Sequence, residues 1–181
     1  MSAGAWLGPV IIAAVIAGLV NVAGWYVTYD RERRHDLRRR SEKVRDYMTA
    51  LRAEIRCHNF RWTGTDPVRH VQEMAEKIRA ARRARRNFTP FTPKEPANSI
   101  YAAVTGEIHL LPGEVIDPVI RFYRQAETIA QLIEDIRAED FRKLDPERKI
   151  AIYKDYIDLR VKAGQLANDA VAALQNVRNL E

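Results

Sequence analysis

A single cysteine, Cys57, in a chain of 181 residues excludes an intrachain disulfide framework and a four-cysteine zinc site. Eight Gly and eight Pro are too few for a collagen-like or low-complexity chain. HExxH, a Gly-rich phosphate loop, GxSxG and GKS/T are all missing. No alternating strand pattern and no internal repeat occurs. The most informative absence is of charge. Residues 1–29 carry no charged side chain. Residues 30–94 carry 19 basic and 9 acidic groups, net +10, and residues 95–181 carry 11 and 15, net −4. The overall net charge of +6 conceals this layout.

Ala5 to Gly24 reads AWLGPVIIAAVIAGLVNVAG, with Asn21 as its polar side chain. As a helix, 20 such residues rise ~30 Å, the thickness of a bilayer's hydrocarbon core. Nine Leu, Ile and Val side chains at ~0.3–0.6 kcal/mol each favour insertion by roughly 3–5 kcal/mol. Trp6 at one end and Trp25, Tyr26 and Tyr29 at the other suit the two interfaces. A cleaved signal peptide would start with basic residues and have a shorter apolar stretch. A core helix of a soluble protein is rarely apolar on every face for this length. A retained transmembrane helix is therefore expected. Arg31 to Arg45 holds eight basic groups against Glu32, Asp36 and Glu42. The positive-inside rule then puts the C-terminal part in the cytoplasm and the N-terminus outside. Ala14 and Gly18 form a small-xxx-small pair, and Asn21 aligns with that face, a pattern that points to self-association.

Beyond the span the periodicity is helical throughout. Leu37, Val44, Tyr47, Met48, Leu51 and Ile55 recur at intervals of three, four and seven, predicting a basic juxtamembrane helix to about Trp62. Asp66-Pro67 is a start signal for a second helix reaching about Arg86, with Val68, Val71, Met74, Ala75 and Ile78 on one face. Pro90, Pro93 and Pro96 make residues 87–99 a long extended connection, anchored by Phe88 and Phe91 and long enough for a docking role. A third helix is expected over Ser99–Leu110. A fourth starts or kinks at Pro118, with Asp117 as cap, and a last helix of about 30 residues follows Asp145-Pro146.

The expected fold is all-α: an N-terminal transmembrane helix followed by an antiparallel cytoplasmic helical bundle. Its divisions are residues 1–29 (external tip and membrane helix), 30–62 (basic juxtamembrane helix) and 63–181 (the rest of the bundle). The stretch SIYAAVTGEIHLLPGEVIDPVIRFY, Ser99–Tyr123, resembles a pattern in uncharacterised bacterial single-pass membrane proteins. In those, an anchor precedes a helical domain with a Leu-Pro turn and a Phe-Tyr pair. The resemblance implies a bacterial inner (cytoplasmic) membrane and no known activity.

No catalytic, cofactor or metal site is implied. His35, His58, His70 and His109 form no metal-ligand spacing. Cys57 and His58 point about 100° apart on a helix, and both are expected to be buried or partly buried by packing. Arg52 and His58 share the Arg-x5-His spacing of HEPN-type ribonucleases, but those folds place a polar residue after the arginine and here it is Ala53. A membrane-tethered nuclease is the alternative reading.

The basic runs carry the site expectations. Arg31, Arg33, Arg34, Arg38, Arg39 and Arg40 lie next to the expected bilayer, where each adds ~1 kcal/mol of attraction to anionic phospholipid. Arg82, Arg83, Arg85 and Arg86 end the second helix; its antiparallel return would bring them to the same lipid surface. Clustered arginine also fits nucleic acid, which the missing binding motif disfavours. The expected function is a non-enzymatic bitopic scaffold, sensor or adaptor. Its expected partners are anionic phospholipid, a second copy of itself (a homo-oligomer) and an unknown cytoplasmic protein.

Overall fold

The computed structural model of the chain describes residues 7–58 and 66–176; side chains at 7–24, 26–28 and 30–32 are outside the description. Every regular element among the described residues is helical. The chain divides into two compact units, Met1–Asp46 and Tyr47–Glu181. In the first, the described backbone belongs to helix α1, Leu7–Cys57, whose last turns enter the second unit. No Pro or Gly interrupts the chain between Gly24 and Gly64, so nothing in the covalent backbone stops that helix early. Among the described residues no helix is long and apolar enough to cross a membrane. The side chains of the predicted span Ala5–Gly24, Ala14, Gly18 and Asn21 among them, lie outside the description.

The second unit is organised around α4, Gly113–Arg137. Val115, Val119, Phe122, Tyr123, Ala126, Ile129, Ile133 and Ile136 are buried along one stripe of it. Their spacing of three and four keeps one face apolar over about six turns. At ~1.5–3 kcal/mol for each large side chain removed from water, this stripe is the principal source of cohesion. Helix α6, Pro146–Asn176, faces it with Tyr153, Tyr156, Ile157, Ala163, Ala170 and Leu174. A short helix, α5 (Glu139–Lys143), turns the chain between them and buries Phe141. Helix α2, Pro67–Arg83, packs antiparallel to α6: Arg79 reaches Glu147 near the start of α6, and His70 meets Tyr153 farther along.

The start signals act as their chemistry requires. Asp66 accepts the Arg69 N–H at 3.1 Å with Pro67 at the first helical position. Asp145 does the same for the Arg148 N–H at 3.0 Å. Helix α3 is different. It covers only Ser99–Val104, because the chain tightens into a 3-10 helix over Thr105–Leu110 instead of the continuous helix expected. Its N-cap residue, Asn98, makes no side-chain cap bond. Glu54 of α1 supplies the cap, accepting from Ile100 N–H at 2.7 Å and Tyr101 N–H at 2.9 Å. The same carboxylate accepts from the Tyr123 hydroxyl at 2.7 Å and the Ser99 hydroxyl at 3.4 Å. Tyr47 donates to Glu107 and fastens α1 to the 3-10 segment.

Several sequence expectations are corrected. Helix α4 starts at Gly113, not at Pro118, which sits inside it. Pro118 lies close enough to the N-terminus that it forfeits one backbone bond, and the apolar stripe on both sides outweighs that loss. Helix α2 ends at Arg83 rather than Arg86. Val68 is 63% exposed, off the packed face carried by Ala75 and Ile78. Phe91 is 84% exposed and does not anchor the connection. Pro90 and Thr92 are buried instead, and polar bonds do the fastening: Arg137 to the Thr92 carbonyl at 2.8 Å, and Arg160 to Glu95 at 2.8 Å.

Candidate functional site

Arg33, Arg34, Arg38, Arg39 and Arg40 are exposed along α1 in the first unit; the Arg31 side chain is outside the described residues. Exposed charges on a solvated helix face require no special packing to hold them. Arg82, Arg83, Arg85 and Arg86 have a more specific setting. The end of α2 runs into the start of the proline-rich connection beside α5 and the first turns of α6. Together these elements line a half-open cavity of about 700 Å³.

Helix α2 contributes Ile78, Arg82 and Arg83 to this cavity, and the connection contributes Arg85, Arg86, Asn87 and Phe88. From the opposite wall come Arg142, Lys143, Leu144, Pro146 and Lys149. Seven lining side chains are cationic and none is a carboxylate. A second cavity of about 440 Å³ shares Asn87, Arg142 and Lys143 and adds Arg137 and Glu139. Lys143 is paired with Asp140 at 3.1 Å. Arg82, Arg83, Arg85, Arg86, Arg142 and Lys149 make no ion pair with a carboxylate among the described residues.

Lys149 is 6% exposed. Its ammonium donates to the Arg142 carbonyl at 2.8 Å and to Asn87 Oδ1 at 3.0 Å, and lies 5.9 Å from the centre of the Phe141 ring. An ammonium has three N–H donors, so one is left without a protein acceptor among the described residues. Burial, and then the nearby Arg82 charge, hold the Lys149 pKa below its ordinary value.

The backbone is strained at the same place. Arg85 has φ +52°, the left-handed region in which glycine is at ease and arginine is not. The bonds Arg85 N–H to the Arg82 carbonyl (3.0 Å) and Arg86 N–H to the Ala81 carbonyl (2.8 Å) form a Schellman motif with Arg85 at the position glycine favours. This turn satisfies carbonyls at the end of α2 and directs the chain along the cavity mouth.

The residues weighed for catalysis have other surroundings. His58 is 3% exposed and packs edge-on against Phe122 and Tyr123, with ring centres 5.5 and 6.3 Å away. Burial holds its pKa below the ordinary value, against opposing contributions from Asn98 and Glu54. Burial, reinforced by the hydrogen bond to Glu54, raises that of Tyr123. The Tyr101 ring stacks on Tyr123 at 3.9 Å. Arg52 is half-buried. Cys57 is exposed, contrary to the packed position expected, because its direction on α1 diverges from the Glu54–His58 face.

Sequence reasoning placed four arginines of the cavity but missed Arg142, Lys143 and Lys149. A signal for Lys149 was present: it begins the series Lys149, Tyr153, Tyr156, Ile157 on the buried face of α6, where a lysine needs a reason. No family model, curated protein or solved structure matches the chain.

Proposed function

We propose that the chain is a non-enzymatic, single-pass membrane scaffold, sensor or adaptor that presents a helical domain in the cytoplasm and self-associates. The observation that carries this reading is the order of residues along one helix. An uncharged 20-residue run, Ala5–Gly24, is followed by eight basic groups between Arg31 and Arg45, and α1 extends from Leu7 to Cys57. Charge-free length suits the hydrocarbon core, and a cationic flank suits the cytoplasmic leaflet. Trp25 and Tyr29, exposed and stacked with centres 5.9 Å apart, fit the interface between them. The resemblance of Ser99–Tyr123 to bacterial single-pass proteins supports a bacterial inner membrane.

Anionic phospholipid is the partner of the Arg31–Arg45 run. Ala14, Gly18 and Asn21 form the self-association face. The net −4 of residues 95–181 leaves the distal surface for a cytoplasmic protein partner. A reporter active only in the cytoplasm is expected to work when fused after Glu181. Activity only from a reporter that matures outside the cytoplasm overturns the topology. Asn21→Leu is expected to reduce crosslinked dimers in intact membranes; undiminished dimers refute the assigned face.

A further inference from the structure

The geometry points to the cavity between the end of α2, α5 and the start of α6 as a binding site for an oligophosphate group: a small anion, or lipid headgroup, carrying two or more phosphates. This inference does not depend on the membrane reading, since it rests only on residues of the second unit.

Size is the first support. About 700 Å³ falls within the range of pockets that hold small organic ligands. Charge is the second. Arg82, Arg83, Arg86 and Arg142 line the space without a carboxylate partner, and Lys149 is buried against it with an uncommitted N–H. Folding ordinarily scatters like charges or interleaves acids among them. Here elements more than 50 residues apart bring cations together, where they repel one another. A ligand with several negative charges would relieve that repulsion, which a monoanion does only in part. Planar guanidinium groups match phosphate oxygens two at a time, so clustered arginines favour phosphate over a simple carboxylate.

The third support is the backbone. The left-handed Arg85 costs conformational energy that a glycine would avoid. Arginine at this position adds a fifth guanidinium to the lining. Ile78, Phe88 and Leu144 give the cavity an apolar portion beside the cations. The site therefore suits a phosphorylated molecule with a non-phosphate body better than a naked ion.

The test uses the full chain in a neutral detergent at fixed ionic strength. Inorganic tripolyphosphate and a nucleoside triphosphate represent free phosphates. Mixed micelles containing diphosphatidylglycerol, compared with phosphatidylcholine, represent the headgroup. Either source is expected to raise the melting temperature by about 5 °C or more at saturation, while sulfate at equal ionic strength does not. Arg82→Ala and Arg142→Ala change side chains outside the apolar core and are expected to weaken binding at least tenfold each. Arg124→Ala, an exposed cation of α4 that does not line the cavity, is expected to leave it unchanged. Stabilisation by tripolyphosphate assigns a soluble ligand, and stabilisation by diphosphatidylglycerol alone assigns a lipid where Arg82→Ala and Arg142→Ala remove it. No stabilisation by either overturns the site. So does binding that survives Arg82→Ala and Arg142→Ala, or tighter binding of a single-stranded oligonucleotide that every basic substitution weakens equally.

Discussion

At the scale of single residues, two side chains stand in positions where their chemistry is costly. Arg85 occupies a left-handed backbone position, which costs an L-residue with a side chain roughly 1–2 kcal/mol. Arg85→Gly is expected to stabilise the protein by about 1 kcal/mol, seen as a melting temperature ~3 °C higher. The same variant is expected to bind tripolyphosphate less well, so stability and binding move in opposite directions. Glu54 is buried among backbone and hydroxyl donors of four residues, Ser99, Ile100, Tyr101 and Tyr123. Removing its carboxylate leaves two helix N–H groups and a buried hydroxyl without their acceptor. Glu54→Ala is expected to cost about 3 kcal/mol or more in urea unfolding. His58 adds a pH dependence. Its folded pKa lies below the ordinary 6.5, so the unfolded chain takes up its proton first as pH falls. Stability is then full above pH 6.5 and declines as pH drops from 6.5 through the folded value. Unfolding at pH 7.5, 6.5 and 5.5 is expected to follow that decline, and His58→Phe to flatten it. Glu95 acts in the opposite sense at lower pH, because burial raises its pKa and the folded state binds the extra proton.

Among the elements, the proline-rich connection departs most from its apparent character. Three prolines predicted an extended segment anchored by its phenylalanines, yet polar bonds tie it at three places. Asn87 accepts from Lys149, the Thr92 carbonyl accepts from Arg137, and Glu95 pairs with Arg160. Arg160 also donates to the Tyr156 hydroxyl at 3.1 Å, which fixes the guanidinium on α6. The connection is thus a strap across α4 and α6, and it carries Arg85 and Arg86 to the cavity. Removing one partner of the Glu95–Arg160 pair leaves a buried charge, at a cost of about 3 kcal/mol. Arg160→Met is expected to loosen the strap and speed tryptic cleavage after exposed Lys94 at least tenfold. The double variant with Glu95→Gln is expected to recover part of that protection. Equal cleavage rates in all three proteins would show that the ion pair does not hold the strap.

For the whole molecule, the division of packing falls inside the basic stretch, at Asp46, rather than at either boundary of charge. Every buried apolar side chain among the described residues lies between Met48 and Leu174. A chain beginning at Ser41 therefore keeps that core and is expected to melt cooperatively, within a few degrees of the second unit's transition in the full chain. Loss of cooperativity would mean that the first unit contributes to that core.

Much of this was legible in the residues themselves. Helical periodicity, the Asp66-Pro67 and Asp145-Pro146 starts and the apolar stripe of α4 are local matters. Backbone geometry fixes which positions share a face, so a single sequence carries that information. The same locality left Pro118 open as a start or a kink, and it lies inside a helix that begins at Gly113 and packs on α6. Other features were decided only by tertiary structure. A helix cap came from Glu54, 46 residues before the N–H it serves most closely. Phe91 turned outward while Thr92 turned in, since an extended connection has no period from which to read a buried face. The cationic cavity joins Arg82–Arg86 to Arg142 and Lys149 across more than 50 residues. The sequence by itself determined the all-helical character and the placement of charge along the chain. Only the meeting of helix ends decided which charges became neighbours, because long-range contacts depend on how faces pack and not on where residues fall in the chain.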